Sequence, residues 1–469
     1  MIRLSLCMIV RNEEENLGAC LESMEGLADE VIVVDTGSRD RTMAVARSFG
    51  ARLFRFAWRD DFSAARNFSI QQATGNCIFW MDADDRLPAE SRRDFLTLKR
   101  RLSEEKQLPA LFFTIRSPFR GNRGCSTFRQ VRLFPGRPGL AFEGRIHEQI
   151  IPALDRAGIV IKHVDIPILH TGYADEAERR KKARRNLAIL EKDDPTPVNL
   201  IYRANMLETL GRGEEAARLL LRALEDDESL QRLDGWYEKA VADLARIWIR
   251  QGKTAPCERL LSRGLARVPA AFPLLLLMAE VMIRKGVSDA ALPYLELAEK
   301  NPPRVGPVAS NPEQGMSRLF FLMGECRIDS GDPEAARNAF MESLRWSPGN
   351  RDAAEGIRRV AAVHEQEGNF SKAVRALEAV STESSLKDQI HLMCLSLKDP
   401  DLSRFAVQAE KVMGLCGLEP RIEISSAGDL ALLLLNIAEA VPPSPERGGI
   451  IRMIHDALAG RYGESPPAG

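Results

Sequence analysis

The sequence predicts an α/β domain on a mostly parallel sheet, followed by an all-α array of helical hairpins. Two observations carry this. Through about residue 175, short β-branched apolar runs alternate with helical segments; beyond it the strand signals stop and a glycine repeat takes over. The 469 residues are 45% apolar and 28% charged, ordinary globular material with room for several domains.

The elements follow in order. Leu4–Val10 reads as a buried strand and Glu14–Met24 as a helix. Glu30–Asp35 is apolar on both faces, as a strand between two layers must be. A helix over Asp40–Phe49, a strand over Arg52–Phe56, a helix over Phe62–Ala73 and a strand over Cys77–Met81 complete a βαβ series. Leu111–Arg116 and Phe128–Phe134 read as strands added to that sheet, with an antiparallel direction open to them.

In the second half Gly211 is followed five residues later by Ala216, Gly252 by Cys257, Gly286 by Ala291, Gly331 by Ala336 and Gly368 by Ala373. The glycines are 41, 34, 45 and 37 apart, bracketing the tetratricopeptide period with insertions. Each glycine suits the left-handed residue that ends a helix, and the small residue lets the next helix pack close. Pro269 and Pro348 each fall 17 residues after a repeat glycine, where a second helix should stop. The expected domains are therefore 1–175, a repeat region over 176–385, and a C-terminal helical region over 386–469 with a frayed tail from Glu464.

Composition excludes several classes. With 65 basic and 66 acidic side chains the net charge is -1, so nucleic acid is not the expected partner. Eight scattered cysteines without a CxxC argue against a zinc knuckle or a disulfide scaffold and for a reducing compartment. The longest apolar run, Leu430–Ala438, contains Asn436 and falls short of a membrane span. The apolar start runs into Arg11-Asn12-Glu13 with no small-residue cleavage site, so a first strand is expected there rather than a signal peptide, and a cytoplasmic location.

The chemistry gathers at strand ends. Asp82-Ala83-Asp84-Asp85 follows a buried strand, and open α/β sheets bind ligands outside such carboxyl ends. Bunched carboxylates repel unless a cation is present, and a hard ion, Mg²⁺ or Mn²⁺, bridging a diphosphate answers that. The plain alternative is an acidic loop capping the helix that starts near Ser91. Asp35 ends a second strand before Gly37-Ser38, where its carboxylate can accept bonds from a nucleoside base or ribose. Arg11, Asn12 and Glu13 follow the first strand; Arg66 and Asn67 bring a cation and an amide to the same crevice.

Together these segments resemble inverting family-2 glycosyltransferases of the GT-A (Rossmann-like mixed sheet) fold. That family has an NEE-like segment, a VVD-x-GS-x-D turn, a helix bearing ArN and a DxD-type motif, found here in order at Asn12, Asp35, Arg66 and Asp82–Asp84. Asp60–Asn67, Arg132-Leu133-Phe134 and Gly144–Gln149 are similar to the subgroup in which this domain precedes tetratricopeptide repeats. It includes peptide S-glycosyltransferases that modify bacteriocin cysteines and adjoins lipopolysaccharide-core glucosyltransferases. The resemblance implies that Asp35 contacts the nucleoside, Asp82 the ribose or metal, Asp84 the metal, and Arg66 the base or phosphate. Many members have two acids where this chain has Asp35-Thr36, which leaves nucleoside contacts beyond Asp35 open.

His170, closing the domain, is expected as a third metal or diphosphate ligand. His147 and Glu148 are expected on the acceptor side, Glu148 as general base with Glu143 and Asp85 in reserve. His163 reads as a strand surface residue, and His364, His391 and His455 carry no assigned chemistry. Arg179–Arg185 places six cations in seven positions, a solvated face or a dock for anionic lipid or an acidic acceptor.

The expected activity is metal-dependent sugar transfer from a nucleotide-sugar, with UDP the usual family choice, to a protein or peptide acceptor recruited by the repeats. The competing expectations are a lipopolysaccharide or other glycan acceptor, with repeats serving homodimer assembly, and a non-catalytic tetratricopeptide scaffold that only binds nucleotide-sugar.

Overall fold

The computed structural model describes residues 2–118, 124–172, 176–380, 386–398, 403–419 and 427–462. The expected frayed tail lies outside them. Eight strands form one mixed sheet: β1 (Leu4–Val10), β2 (Glu30–Asp35), β3 (Arg52–Arg55), β4 (Cys77–Trp80), β5 (Asp85–Arg86), β6 (Ala110–Pro118), β7 (Cys125–Pro135) and β8 (Ile161–His170), in the spatial order 3-2-1-4-7-6-8-5. β3, β2, β1 and β4 are parallel, β7 runs antiparallel to β4 and β6, and β8 lies parallel to β6. The parallel β3-β2-β1-β4 half is what the sequence predicts. Of the two added strands, β7 is antiparallel to β4 while β6 runs the same way as β4, and β8 is a further strand beyond those expected.

Alternation explains why the first strands hold the centre. Leu4, Leu6 and Met8 join Val33, Phe79, Leu17 and Phe95 in one core. Cys7, Ile32, Val34, Ile78 and Trp80 point to the other layer, with Phe142 and Leu154. The connecting helices are α1 (Leu17–Ser23), α2 (Thr42–Ser48), α3 (Phe62–Gln71), α4 (Ser91–Glu104) and α5 (Ile151–Arg156). Asp61 starts α3 by accepting the Ala64 amide at 2.8 Å.

Register sets the site. Val10 pairs with Asp35 and Cys7 with Trp80, so β1, β2 and β4 finish along one edge. β5 was not legible in the sequence. Its two residues fold back so that Asp85 pairs with His170 and Arg86 with Leu169, bringing the end of β8 to the tip of β4.

The chain divides into two compact units, Met1–Val281 with Leu297–Gly315, and Met282–Glu296 with Met316–Gly469. In the first, the sheet domain is followed by α6 (Glu176–Leu190), α7 (Pro197–Thr209), α8 (Gly213–Ala223), α9 (Asp227–Gln231), α10 (Trp236–Arg250) and α11 (Thr254–Arg267). Trp58, Phe62 and Ile146 of the sheet domain pack with Ile189, Leu190, Tyr202 and Met206 of α6 and α7. Residues 306–310 pair with the otherwise bare stretch of β7: Thr127 and Ser310 exchange amide bonds at 2.7 and 3.0 Å, and the Arg129 amide reaches the Gly306 carbonyl at 2.8 Å. A sheet edge is thereby covered from the helical half.

The helices α12 (Phe272–Arg284) and α13 (Leu292–Lys300) lead into α14 (Pro312–Asp329), α15 (Pro333–Trp346), α16 (Arg351–Gln366), α17 (Phe370–Glu378), α18 (Leu386–Lys398), α19 (Ser403–Leu415), α20 (Ala427–Ala440) and α21 (Arg447–Tyr462). All five repeat glycines have positive φ, between 70° and 79°, and their small partners at +5 are fully buried. α18 shares one core with α17 through Leu392 and Leu395 and another with α19–α21 through Ile390, Met393 and Leu397. Among the described residues, no helix is long and apolar enough to cross a membrane.

Candidate functional site

The edge begins with two turns locked together. Asp35 closes β2, and its carboxylate accepts the amides of Gly37 and Ser38 at 3.3 and 3.0 Å, an Asx-type turn. Asn12, with φ 55°, takes the Arg39 amide on its side-chain oxygen at 2.8 Å while its own amide donates to Ser38 Oγ at 2.9 Å. Glu13 is fixed by Asn16 Nδ2 at 2.9 Å and by its own amide on Thr42 Oγ1. Arg11, beside them, is exposed.

The acidic turn after β4 is held by its own carboxylate: Asp85 Oδ2 accepts the Asp82 amide at 2.8 Å. Asp85 is fully buried, paired with Arg132 at 3.0 Å and with His170 Nδ1 at 3.0 Å. Asp82 lies between two guanidiniums, Arg66 at 2.8 Å and Arg132 at 3.6 Å. Those cations sandwich the Trp80 ring, 4.0 and 3.8 Å from its centroid. Arg66 also binds Glu148 through Nε, so Glu148 is buried in an ion pair. Burial alone would raise the Asp82 pKa, but Arg66 and Arg132 hold it well below the usual carboxylate range.

Asp84 behaves oppositely. Burial and then the charges of Asp82, Asp85 and Glu13 outweigh His170 and push it up to about 6. For His170, burial is outweighed by the bond to Asp85 and the charge of Asp84, which raise it to about 9. Thr171 donates its amide and hydroxyl to the Asp84 carbonyl at 2.8 and 2.9 Å. Gly172 completes a cradle: a Cβ there would stand 2.2 Å from Asp84 Oδ2 and 3.3 Å from His170 Nε2.

These residues fit a divalent ion. Asp82, Asp85 and His170 each offer a ligand atom within 4.8 Å of the others. Asp85 is already engaged with the turn amide, Arg132 and His170, whereas Asp84 Oδ2 and His170 Nε2 face the space Gly172 leaves open. Carboxylate oxygens with one imidazole suit Mg²⁺ or Mn²⁺.

The other expected residues fall as follows. Glu13, after β1, is near enough to Asp84, after β4, for its charge to help raise that carboxyl. His147, with φ 55°, stacks on Tyr202 at 3.7 Å with planes 3° apart, and Tyr202 meets Trp236 edge-on. Its Nε2 is buried without a partner and desolvation lowers its pKa to about 4, which leaves the ring neutral in the seam with α7. Asn67 spends its amide on the backbone of Phe142 at 2.7 and 2.9 Å. Glu143 pairs with Arg156 at the surface. His163 stacks on Phe112 along the strands, as a surface strand residue does. Arg132 is the residue whose role local pattern conceals; the signal was an arginine inside the apolar run Val131-Arg132-Leu133-Phe134.

Residues 5–98 match the model of Glycosyl transferase family 2. The chain is 39% identical over 198 residues to a TPR repeat-containing protein of Synechococcus elongatus, covering 41% of this chain and 48% of that one. It is 27% identical over 225 residues to the SPbeta prophage-derived glycosyltransferase SunS of Bacillus subtilis, covering 46% and 52%. Over 89 residues it is 37% identical to the lipopolysaccharide core biosynthesis glycosyltransferase LpsC of Rhizobium meliloti, covering 18% and 32%. The chain thus spans about half the length of the first two relatives and about a third of the last.

Proposed function

We propose, from a family 2 glycosyl transferase domain at the N-terminus followed by tetratricopeptide-type hairpins, that this protein transfers a sugar with inversion from a nucleotide-sugar, UDP-linked, to a protein or peptide acceptor. The observation that supports the reading is that β2 and β4 flank β1 and end on the same side, with Asp35 closing β2 and with Arg66 on Asp82 and His170 on Asp84 beyond β4. Asp35 receives the nucleoside; its turn bonds leave lone pairs for ribose or base hydrogens. Asp84 and His170, with Asp82, would hold a Mg²⁺ or Mn²⁺ ion, which would supply Lewis-acid stabilisation to the departing diphosphate.

Arg66 sits where positive charge can oppose the negative charge of the leaving group, and Trp80 and Arg132 fix its plane. Glu148 is the proposed base. Arg66 takes its Oε1, which leaves Oε2 for the acceptor proton. The acceptor oxygen or sulfur bonds to the anomeric carbon as the bond to the diphosphate breaks on the opposite face, and the proton passes to Glu148. Arginines 11, 66 and the turn around Asn12 and Glu13 bound the donor side; His147 serves as a positioning residue.

The likeness to LpsC favours a second reading, a glycan acceptor. Mass spectrometry of peptides and of lipopolysaccharide-type glycans after incubation with UDP-sugars separates the two. For the shared core, a thermal-shift screen of nucleoside diphosphates with and without Mn²⁺ should show metal-dependent stabilisation, lost in Asp84→Ala. A chain that no nucleotide stabilises, with metal or without, would sink the reading.

A further inference from the structure

The loop that carries Glu148 is short and closed at its neck. Glu143 and Gln149 exchange backbone amide bonds at 2.9 Å each, which leaves residues 144–148 to turn between them. The first half of that loop is tied through its backbone. The Phe62 amide donates to the Arg145 carbonyl at 2.7 Å, and the Arg145 amide donates to Asp193 Oδ2 at 3.1 Å. Phe62 opens α3, the helix on which Arg66 meets Glu148 one turn later.

The second half turns at His147. Its φ of 55° is a left-handed conformation that residues other than glycine seldom adopt, and it persists where the surroundings enforce it. On one side of the turn Ile146 enters the apolar cluster with Ile189 and Leu190; on the other Glu148 enters the ion pair with Arg66. The His147 ring makes no hydrogen bond at its buried Nε2. It lies flat on the face of Tyr202, on α7, with 3.7 Å between centroids and planes 3° apart. Tyr202 is braced in turn by Trp236 at the start of α10, edge-on at 5.0 Å.

We propose that Tyr202 is a positioning residue for Glu148: by stacking on His147 it fixes the turn that aims the carboxylate, so that a side chain of the helical half completes the acceptor side of the site. This rests on the reading above, in which Glu148 takes the acceptor proton. The contact is made by the flat face of the ring, so phenylalanine keeps it, while leucine fills the space without it. Misplacing a reacting group by about 1 Å costs up to about 100-fold in rate. The donor contacts proposed for Asp35 and Asp84 lie on other turns, so KM for the nucleotide-sugar is spared.

UDP release by the full chain from UDP-glucose, UDP-galactose and UDP-N-acetylglucosamine, each with Mn²⁺ and with water as acceptor, tests it. Tyr202→Leu should lower kcat about tenfold and leave KM within about twofold, and Tyr202→Phe should match wild type. In a Glu148→Gln background, adding Tyr202→Leu should lower kcat no further, because the loss runs through that carboxylate. Undiminished kcat in Tyr202→Leu, or an equal loss with and without Glu148, overturns the positioning role and leaves Glu148 as the base. Full activity in Glu148→Gln overturns the base and the positioning role together. A wild type that releases UDP from none of the three overturns the nucleotide-sugar reading as well. Should Tyr202→Leu not fold, proton NMR of the wild type decides on the stack. A His147 ring resonance, identified by its loss in His147→Gln, should be shifted upfield by the Tyr202 ring; an unshifted resonance overturns the proposal.

Discussion

Gly172 matters for what it lacks. Its missing side chain leaves the space between Asp84 Oδ2 and His170 Nε2, while both ends of the turn are held by Thr171 and Asp85. Gly172→Ala should therefore abolish Mn²⁺-dependent thermal stabilisation and turnover while shifting the metal-free melting temperature little. Glu30, at the opposite end of β2, is a stability residue. Ser5, Thr74, Gly75 and Arg52 all donate to its carboxylate. Burial would raise its pKa, but these donors lower it from 4.5 to about 2. That stabilisation is complete above pH 4.5 and is lost as the pH falls towards 2, about 3 kcal/mol in all. Denaturant titrations across pH 2–5 should show this slope in wild type and a flatter one in Glu30→Gln.

At the scale of elements, local chemistry was largely legible. The repeat glycines were found because a helix end demands φ > 0, a requirement written in a single residue. Asp35, Asp82 and Asp84 stand out as candidates in the sequence because each follows a buried apolar run. β5 was not, since two residues carry no periodicity and pair only because His170 lies 85 positions away. Two helical glycines show the same limit. Gly324 and Gly356 look like weak points of α14 and α16, yet a Cβ on either would come within 2.4 or 2.5 Å of the Phe340 ring. Phe340 is fully buried between them. Gly356→Ala, which elsewhere in a helix would stabilise, should here cost about 1–3 kcal/mol by chemical denaturation.

For the whole molecule, the two halves read from the sequence are joined more closely than their patterns suggest. Trp58, Phe62 and Ile146 are covered by α6 and α7, and β7 is flanked by residues 306–310. Neither contact has a local signature, because each depends on partners far along the chain. Residues 1–175 expressed alone should expose that apolar patch and strand edge and aggregate, whereas residues 1–315 should remain dispersed in size-exclusion chromatography.

The pairing of Thr127 with Ser310 spans 183 positions. At ordinary translation speeds the ribosome needs roughly 10–40 s to cover that stretch. Throughout that interval the nascent sheet domain carries an unfinished border, open to neighbouring nascent chains. Synthesis of this protein thus contains a built-in waiting period, and chaperone dependence should concentrate there.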